Sequence, residues 1–268
     1  MKRIAHLSDL HFGATDLDVT QALLDDLFME EPDLVVVSGD LTQRARTREF
    51  VAARHFLDAL PFPKIVVPGN HDIPLYDVGR RFLAPLARYK RHITPDLSPL
   101  HEDDDMVILG LNTARSLTFK HGRLSPLQMG GIHEHFCGTD GDRFKVLVTH
   151  HPFIPPEDDP TPPLVGGGPE ALRILEACGA DLLLAGHLHV PHSGDVREHH
   201  VTVERSILIA HAGTAFSTRI RGEPNSYNLI TVEPPDVAVE VRAWDGDGFA
   251  SWLLTRYRKE GDHWEREA

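Results

Sequence analysis

Cysteine is scarce in this chain: Cys137 and Cys178 are the only two in 268 residues. Two cysteines cannot build a disulfide framework, and neither sits in a CxxC or Cys/His spacing. No thiol chemistry is therefore expected, and a reducing cytoplasm is the expected compartment. No run of about 18 apolar residues occurs, and the opening MKRIAHLSDLHFG has no apolar segment of signal-peptide type, so no membrane span is expected. Positive charge is also short: 27 Lys and Arg face 40 Asp and Glu, a formal net charge of -13. General nucleic-acid binding needs a basic surface that displaces counterions, so the balance argues against that class. A small anion can still bind where cations are local. Internal repeats and low-complexity tails are missing too.

What is present in excess is histidine, with 18 residues against 4 Met and 4 Tyr. Short apolar runs recur and most end in polar clusters: RIAHLSD (3–9), LVVVSGD (34–40), KIVVPGN (64–70), MVILGLN (106–112), KVLVTHH (145–151) and DLLLAGH (181–187). Such runs suit strands buried on both faces. Helical patterns lie between them at 18–30, 46–60, 77–88, 125–136 and 168–178, which gives an α/β fold. After about residue 190 strands and turns dominate. The β-rich part, about 190–258, is expected to complete a second sheet of one domain spanning 1–268. The Pro/Gly-rich segment 152–169 reads either as a flexible insertion or as a lid over a neighbouring site.

In α/β sheets, ligands bind beyond the carboxyl ends of the strands. Those ends here carry Asp9 and His11 (SDLH), Asp40 (GD), Asn70, His71 and Asp72 (GNHD), His150 and His151 (THH), and His187 and His189 (GHLH). Spacing of two in extended chain puts Asp9 with His11, and His187 with His189, on one side. Two carboxylates, an amide oxygen and four imidazoles exceed what one metal needs. They suit two borderline cations such as Fe, Zn, Mn, Co or Ni rather than the oxygen-seeking Mg or Ca.

The order D-x-H, GD, GNHD, H and GHxH resembles the calcineurin-like metallophosphoesterase superfamily over residues 9–189. SGDLTQ, GHLH and the β-rich tail look most like its bacterial class III cyclic-nucleotide phosphodiesterases and glycerophosphodiesterases. The resemblance implies a four-layer αββα sandwich, two packed mixed β-sheets flanked by helices, with a dinuclear centre whose ions are expected to be Mn, Fe or Zn. It also implies that Asp9, His11 and His189 hold one ion, that Asn70, His150 and His187 hold the other, and that Asp40 bridges them. In THH it selects His150 over His151.

The expected reaction is hydrolysis of a small phosphodiester, a cyclic nucleotide or a glycerophosphodiester, by a metal-activated hydroxide. Two divalent ions against two carboxylates and one hydroxide leave a local positive charge that attracts phosphate. His71 follows a ligand, so its ring cannot easily reach the same metal; it is expected to hydrogen-bond a phosphate oxygen or protonate the leaving alkoxide, a role the resemblance also implies. Asp72 either caps the turn or orients an imidazole. Arg115, Arg219 and Arg221 are candidate phosphate contacts at the rim, with Asn225 beside them, against the plainer reading of a salt-bridged surface. His121, His192, His199 and His200 read as surface or hairpin residues, and EDDDM (102–106) as a solvated turn. Alternative activities are phosphomonoester hydrolysis and nucleotide-sugar or lipid pyrophosphate hydrolysis. A scaffold that kept the fold without the chemistry predicts missing ligands, and none is missing. The expected partner is a small phosphate ester; a homo-oligomer is compatible with the sequence.

Overall fold

The computed structural model of the protein describes residues 1–118, 120–139, 143–155, 164–198 and 203–267. Two mixed β-sheets are packed face to face. One has the order β13 (His263–Arg266), β12 (Phe249–Glu260), β11 (Asp236–Trp244), β10 (Ser226–Glu233), β1 (Lys2–Leu7), β2 (Leu34–Ser38), β3 (Lys64–Val67). The other runs β4 (Leu100–Glu102), β5 (Met106–Gly110), β6 (Phe144–Val148), β7 (Leu182–His189), β9 (Leu208–Gly213), β8 (His192–Asp195). Within them β1, β2 and β3 are parallel, as are β5, β6, β7 and β9.

The continuous apolar runs follow from burial on both faces. Along β2, Leu34 and Val36 point between the sheets with Ile4, Ile108 and Val146, whereas Val35 and Val37 point outward. There they meet α1 (Leu17–Glu30), α2 (Thr47–Ala59) and α4 (Ala87–His92) through Leu23, Phe50 and Tyr89. On the outer face of the second sheet, Leu147 and Leu183 pack with α5 (Pro126–Ile132) and α6 (Gly168–Ala177). Each fully buried Leu or Ile in these layers contributes about 1.5–3 kcal/mol. Asp16 starts α1 by accepting from the Asp18 and Val19 N–H groups, and Ser125 before Pro126 opens α5.

Three expectations change. The helical pattern at 77–88 splits into α3 (Val78–Leu83) and α4, because Pro85 cannot continue a helix. The β-rich part after residue 190 completes the second sheet only in part. Its β8 and β9 join the second sheet, while β10 to β13 extend the first, with β10 antiparallel to β1 in the register Ile4↔Ile230. Cys137 and Cys178 are joined by a disulfide that ties the turn after α5 to the end of α6. The pairing removes the argument for a reducing compartment that two free thiols would have carried. Part of the segment 152–169, and both His199 and His200, lie outside the described residues.

Candidate metal centre

Asp9 and His11 follow β1, Asp40 follows β2, Asn70 follows β3, His150 follows β6, and His187 and His189 close β7. The fold brings all seven together between the two sheets. His11 Nε2 stands 3.3 Å from His189 Nε2 and 3.5 Å from Asp9 Oδ1, and His189 Nε2 is 3.1 Å from the same oxygen. Across the cluster, His150 Nε2 lies 3.1 Å from Asn70 Oδ1, 3.3 Å from His187 Nδ1 and 3.4 Å from Asp40 Oδ1. Asp40 links the two groups, its Oδ2 being 3.8 Å from His11 Nε2.

Outer hydrogen bonds fix which ring nitrogens face inward. His150 Nδ1–H donates to the Ser38 carbonyl at 2.8 Å, His189 Nδ1–H to the Arg219 carbonyl at 2.9 Å, and His11 Nδ1–H to the Thr42 carbonyl at 3.4 Å. Each ring thereby turns Nε2 into the cluster as the nitrogen whose lone pair a metal ion would take. Asp9 Oδ2 accepts from Ser8 Oγ and the His187 N–H, but Asp9 Oδ1, fully buried, accepts no aligned hydrogen bond. An orphaned carboxylate oxygen facing several imidazole nitrogens is costly by itself and is satisfied by a cation. The mixed N and O donor set therefore fits borderline divalent ions.

The charges agree. Burial by itself would raise the Asp9 and Asp40 carboxyls, yet the surrounding imidazoles hold both well below the usual carboxylate range. Burial would likewise depress His150, but the Asp40 carboxylate outweighs it and holds the ring up at about 9, so without a metal ion Nε2 carries a proton that a bound cation would displace. His187 goes the other way, pushed down to about 3 by burial and by His150.

The backbone is held in an uncommon conformation to achieve this. Of the seven described non-glycine residues with positive φ, five are Asp9, His11, Asp40, His187 and His189. Close approach explains the neighbouring glycines. A Cβ on Gly69 would meet Asp40 Oδ1 at 2.1 Å, and one on Gly186 would meet Ser8 Oγ at 1.7 Å.

His71 lies at the mouth of the cluster. Its Nδ1–H donates to the Gln43 carbonyl at 2.9 Å, and its Nε2 accepts from Arg219 Nη1 at 3.1 Å. Asp72 caps the turn instead of orienting an imidazole: it accepts from the N–H groups of Leu41, Thr42 and Gly69 and from Thr42 Oγ1. Burial and the Asp40 charge push it up to about 7 against those donors. His151 is buried beside His150 and His187, with Nδ1 2.7 Å from Thr113 Oγ1. Of the three arginines, only Arg219 reaches the cluster, where its Nη1 also lies 3.1 Å from His11 Nε2. Arg221 donates weakly to the Leu188 carbonyl, and Arg115 donates to the Asn112 and Ala114 carbonyls and lines a separate cavity with Leu86 and Leu97. The buried Asn225 amide holds the Thr214 and Ser217 carbonyls. A cavity of about 370 Å³ opens beside Asn70 and His71, and its wall includes Arg44 and Lys120. Neither cation carries a sequence signal: each stands in a loop where no periodicity reveals direction.

Comparison with known proteins agrees with this geometry. The family described as calcineurin-like phosphoesterase matches residues 2–191. Glycerophosphodiester phosphodiesterase GpdQ of Enterobacter lignolyticus is 39% identical over 80 residues, 26% of this chain and 29% of that protein's length. A Pseudoalteromonas protein named "probable cyclic nucleotide phosphodiesterase" is 24% identical over 212 residues, covering 73% of this chain and 74% of its own. Among solved structures, purple acid phosphatase PPD1 from yellow lupin seeds superposes with a TM-score of 0.71 at 11% identity, over 93% of this chain and 52% of that one. At that identity the likeness concerns the fold. No described helix is long and apolar enough to cross a membrane.

Proposed function

The chain belongs to the calcineurin-like phosphoesterase family, and from that premise we propose that it hydrolyses a small phosphodiester on two metal ions. Asp9, His11 and His189 would hold one ion, Asn70, His150 and His187 the other, and Asp40 would serve both. The observation that carries this reading is the set of Nε2 atoms turned inward by backbone carbonyls around an orphaned Asp9 oxygen. When bound, the ions supply Lewis acidity that polarises a phosphoryl group and acidifies water.

The chain's own residues do the rest. Asp9 and Asp40 offset only half the charge of two divalent ions, and Asn70 contributes an oxygen without a charge, so the site stays attractive to a phosphate diester anion. The Gln43 carbonyl keeps the His71 Nδ1 proton in place, which leaves Nε2 as the atom that exchanges a proton with substrate. Carrying a proton there, His71 delivers it to the departing alkoxide. Arg219, donating to His71 Nε2 in the free site, turns its guanidinium to a phosphoryl oxygen when substrate arrives. The two phosphodiesterase-named relatives favour a diester over a monoester.

The test is turnover after loading with Mn, Fe, Zn or Co. Substrates are a chromogenic monoester, a chromogenic diester, 2′,3′- and 3′,5′-cyclic nucleotides and glycerophosphodiesters. Diesters are expected to lead. Monoester turnover about tenfold above every diester would overturn the reading.

A further inference from the structure

The cavity beside His71 has a charge at odds with the rest of the molecule. Its lining includes Arg44, Arg81, Lys120 and Arg219 and, among the described residues, no carboxylate, in a chain where acidic residues outnumber basic ones 40 to 27. Elsewhere Arg54, Arg80, Arg143, Arg197, Arg242 and Arg258 each close on a carboxylate. At the cavity Arg81 is spent on the Ser116 and Pro74 carbonyls. The other three cations pair with no carboxylate among the described residues. Arg44 lies over the Tyr76 ring at 5.6 Å, and Arg219 donates to His11 and His71. Ile73 and Leu75 add an apolar wall.

Resting on the diesterase reading, we infer that this cavity receives the leaving alcohol and that the preferred alcohol carries a negative charge of its own, a carboxylate or a phosphate. His71 fixes the direction. The oxygen that takes its proton is the one that leaves, so whatever is attached to that oxygen extends into the cavity His71 lines. A guanidinium and an ammonium with no carboxylate partner among the described residues bind a second anion with charge-assisted hydrogen bonds. They oppose a cationic alcohol such as a quaternary amine by the same field. At about 370 Å³ the cavity suits a short substituted alcohol, at the small end of ligand pockets. The substrate class is therefore a diester with two separated anionic centres, one cleaved and one recognised.

The experiment uses the metal-loaded protein and methyl aryl phosphates whose nitrophenyl leaving group is unsubstituted or bears a carboxylate, a phosphonomethyl or a trimethylammonium group. The anionic members are expected to exceed the neutral one in kcat/KM by about tenfold, with the cationic member lowest. The double variant Arg44→Ala/Lys120→Ala is expected to bring the ratios close to one. The carboxylate and phosphonate arms tell which anion fits better. In parallel, calorimetric titration with the corresponding free alcohols reads the cavity without turnover. Equal affinity of wild type for charged and neutral alcohols, or a charge preference that survives the double variant, would overturn the inference. Loss of turnover for every diester with the affinity difference intact would instead overturn the diesterase reading and leave the anion cavity standing.

Discussion

Two of the protein's buried ionic clusters are built differently. On the helix-covered face of the first sheet, Asp26 is 2% exposed and fully supplied. Arg242 donates to both its oxygens at 2.6 and 2.8 Å, and Tyr227 Oη adds a third hydrogen bond at 2.6 Å. At the strand ends Asp9 is equally buried, yet Oδ1 accepts nothing and its neighbours are imidazole nitrogens. The first cluster is complete in itself and its work is structural. The second is complete only with cations added, so its work lies in what it binds.

The sharpest break between them is Asp40→Asn. Removing the charge shared by both halves is expected to strip the metal and cut turnover at least ~10³-fold, read by elemental analysis and by rates after reloading. Chelation should lower the melting temperature of wild type, because an ion that binds only the folded state stabilises it, and should leave the variant unmoved. The converse test is Arg242→Ala. It leaves Asp26 buried without its main partner and is expected to cost about 3–5 kcal/mol in urea denaturation while metal content per folded molecule stays constant. Should it instead deplete the metal, the two clusters are not independent. Within the second cluster, His71→Ala should lower kcat by about 10²-fold with metal content unchanged; metal loss of the same size would make His71 a ligand.

The smallest effect probes a surface pair as a control. Burial pushes Asp103 up, but the Lys2 hydrogen bond and the Asp105 and Met106 N–H groups outweigh it and hold the carboxyl at about 2. A depressed carboxyl contributes stability above its unfolded pKa and loses it as pH falls through the folded value. Asp103→Asn should therefore cost about 1 kcal/mol near neutrality. The difference between variant and wild type should shrink between about pH 4 and pH 2. A difference that does not change with pH would assign the loss to packing.

What could be read in advance follows the same division. Asp9, Asp40, Asn70 and His187 were legible because each ends an apolar run, and for Asp40, Asn70 and His187 a glycine stands just before. Local order in the chain thus becomes spatial order at a sheet edge. Arg44 and Lys120 were not legible, since a loop cation has no period to reveal its direction. Nor was the Cys137–Cys178 bond, whose partners are 41 residues apart and meet only because α5 and α6 share a face. The sheet membership of β10 escaped for a related reason: pairing with β1 depends on which edge is open, a property of the assembled sandwich. Asp72 left two readings open until its acceptors were seen.

The β1–β10 pairing carries a consequence for biosynthesis. Residues 2–7 are made well before their antiparallel neighbour, 226–233, which follows more than 200 residues later. Until then β1 offers a bare edge immediately before Asp9 and His11, and nascent chains with such edges invite mispairing. Contacts of this sequence separation also slow folding. Premature termination between residue 190 and β10 would release all seven candidate ligands on a sheet that cannot close. Completion of the candidate metal centre thus waits for β10, although its last candidate ligand, His189, is translated before that strand.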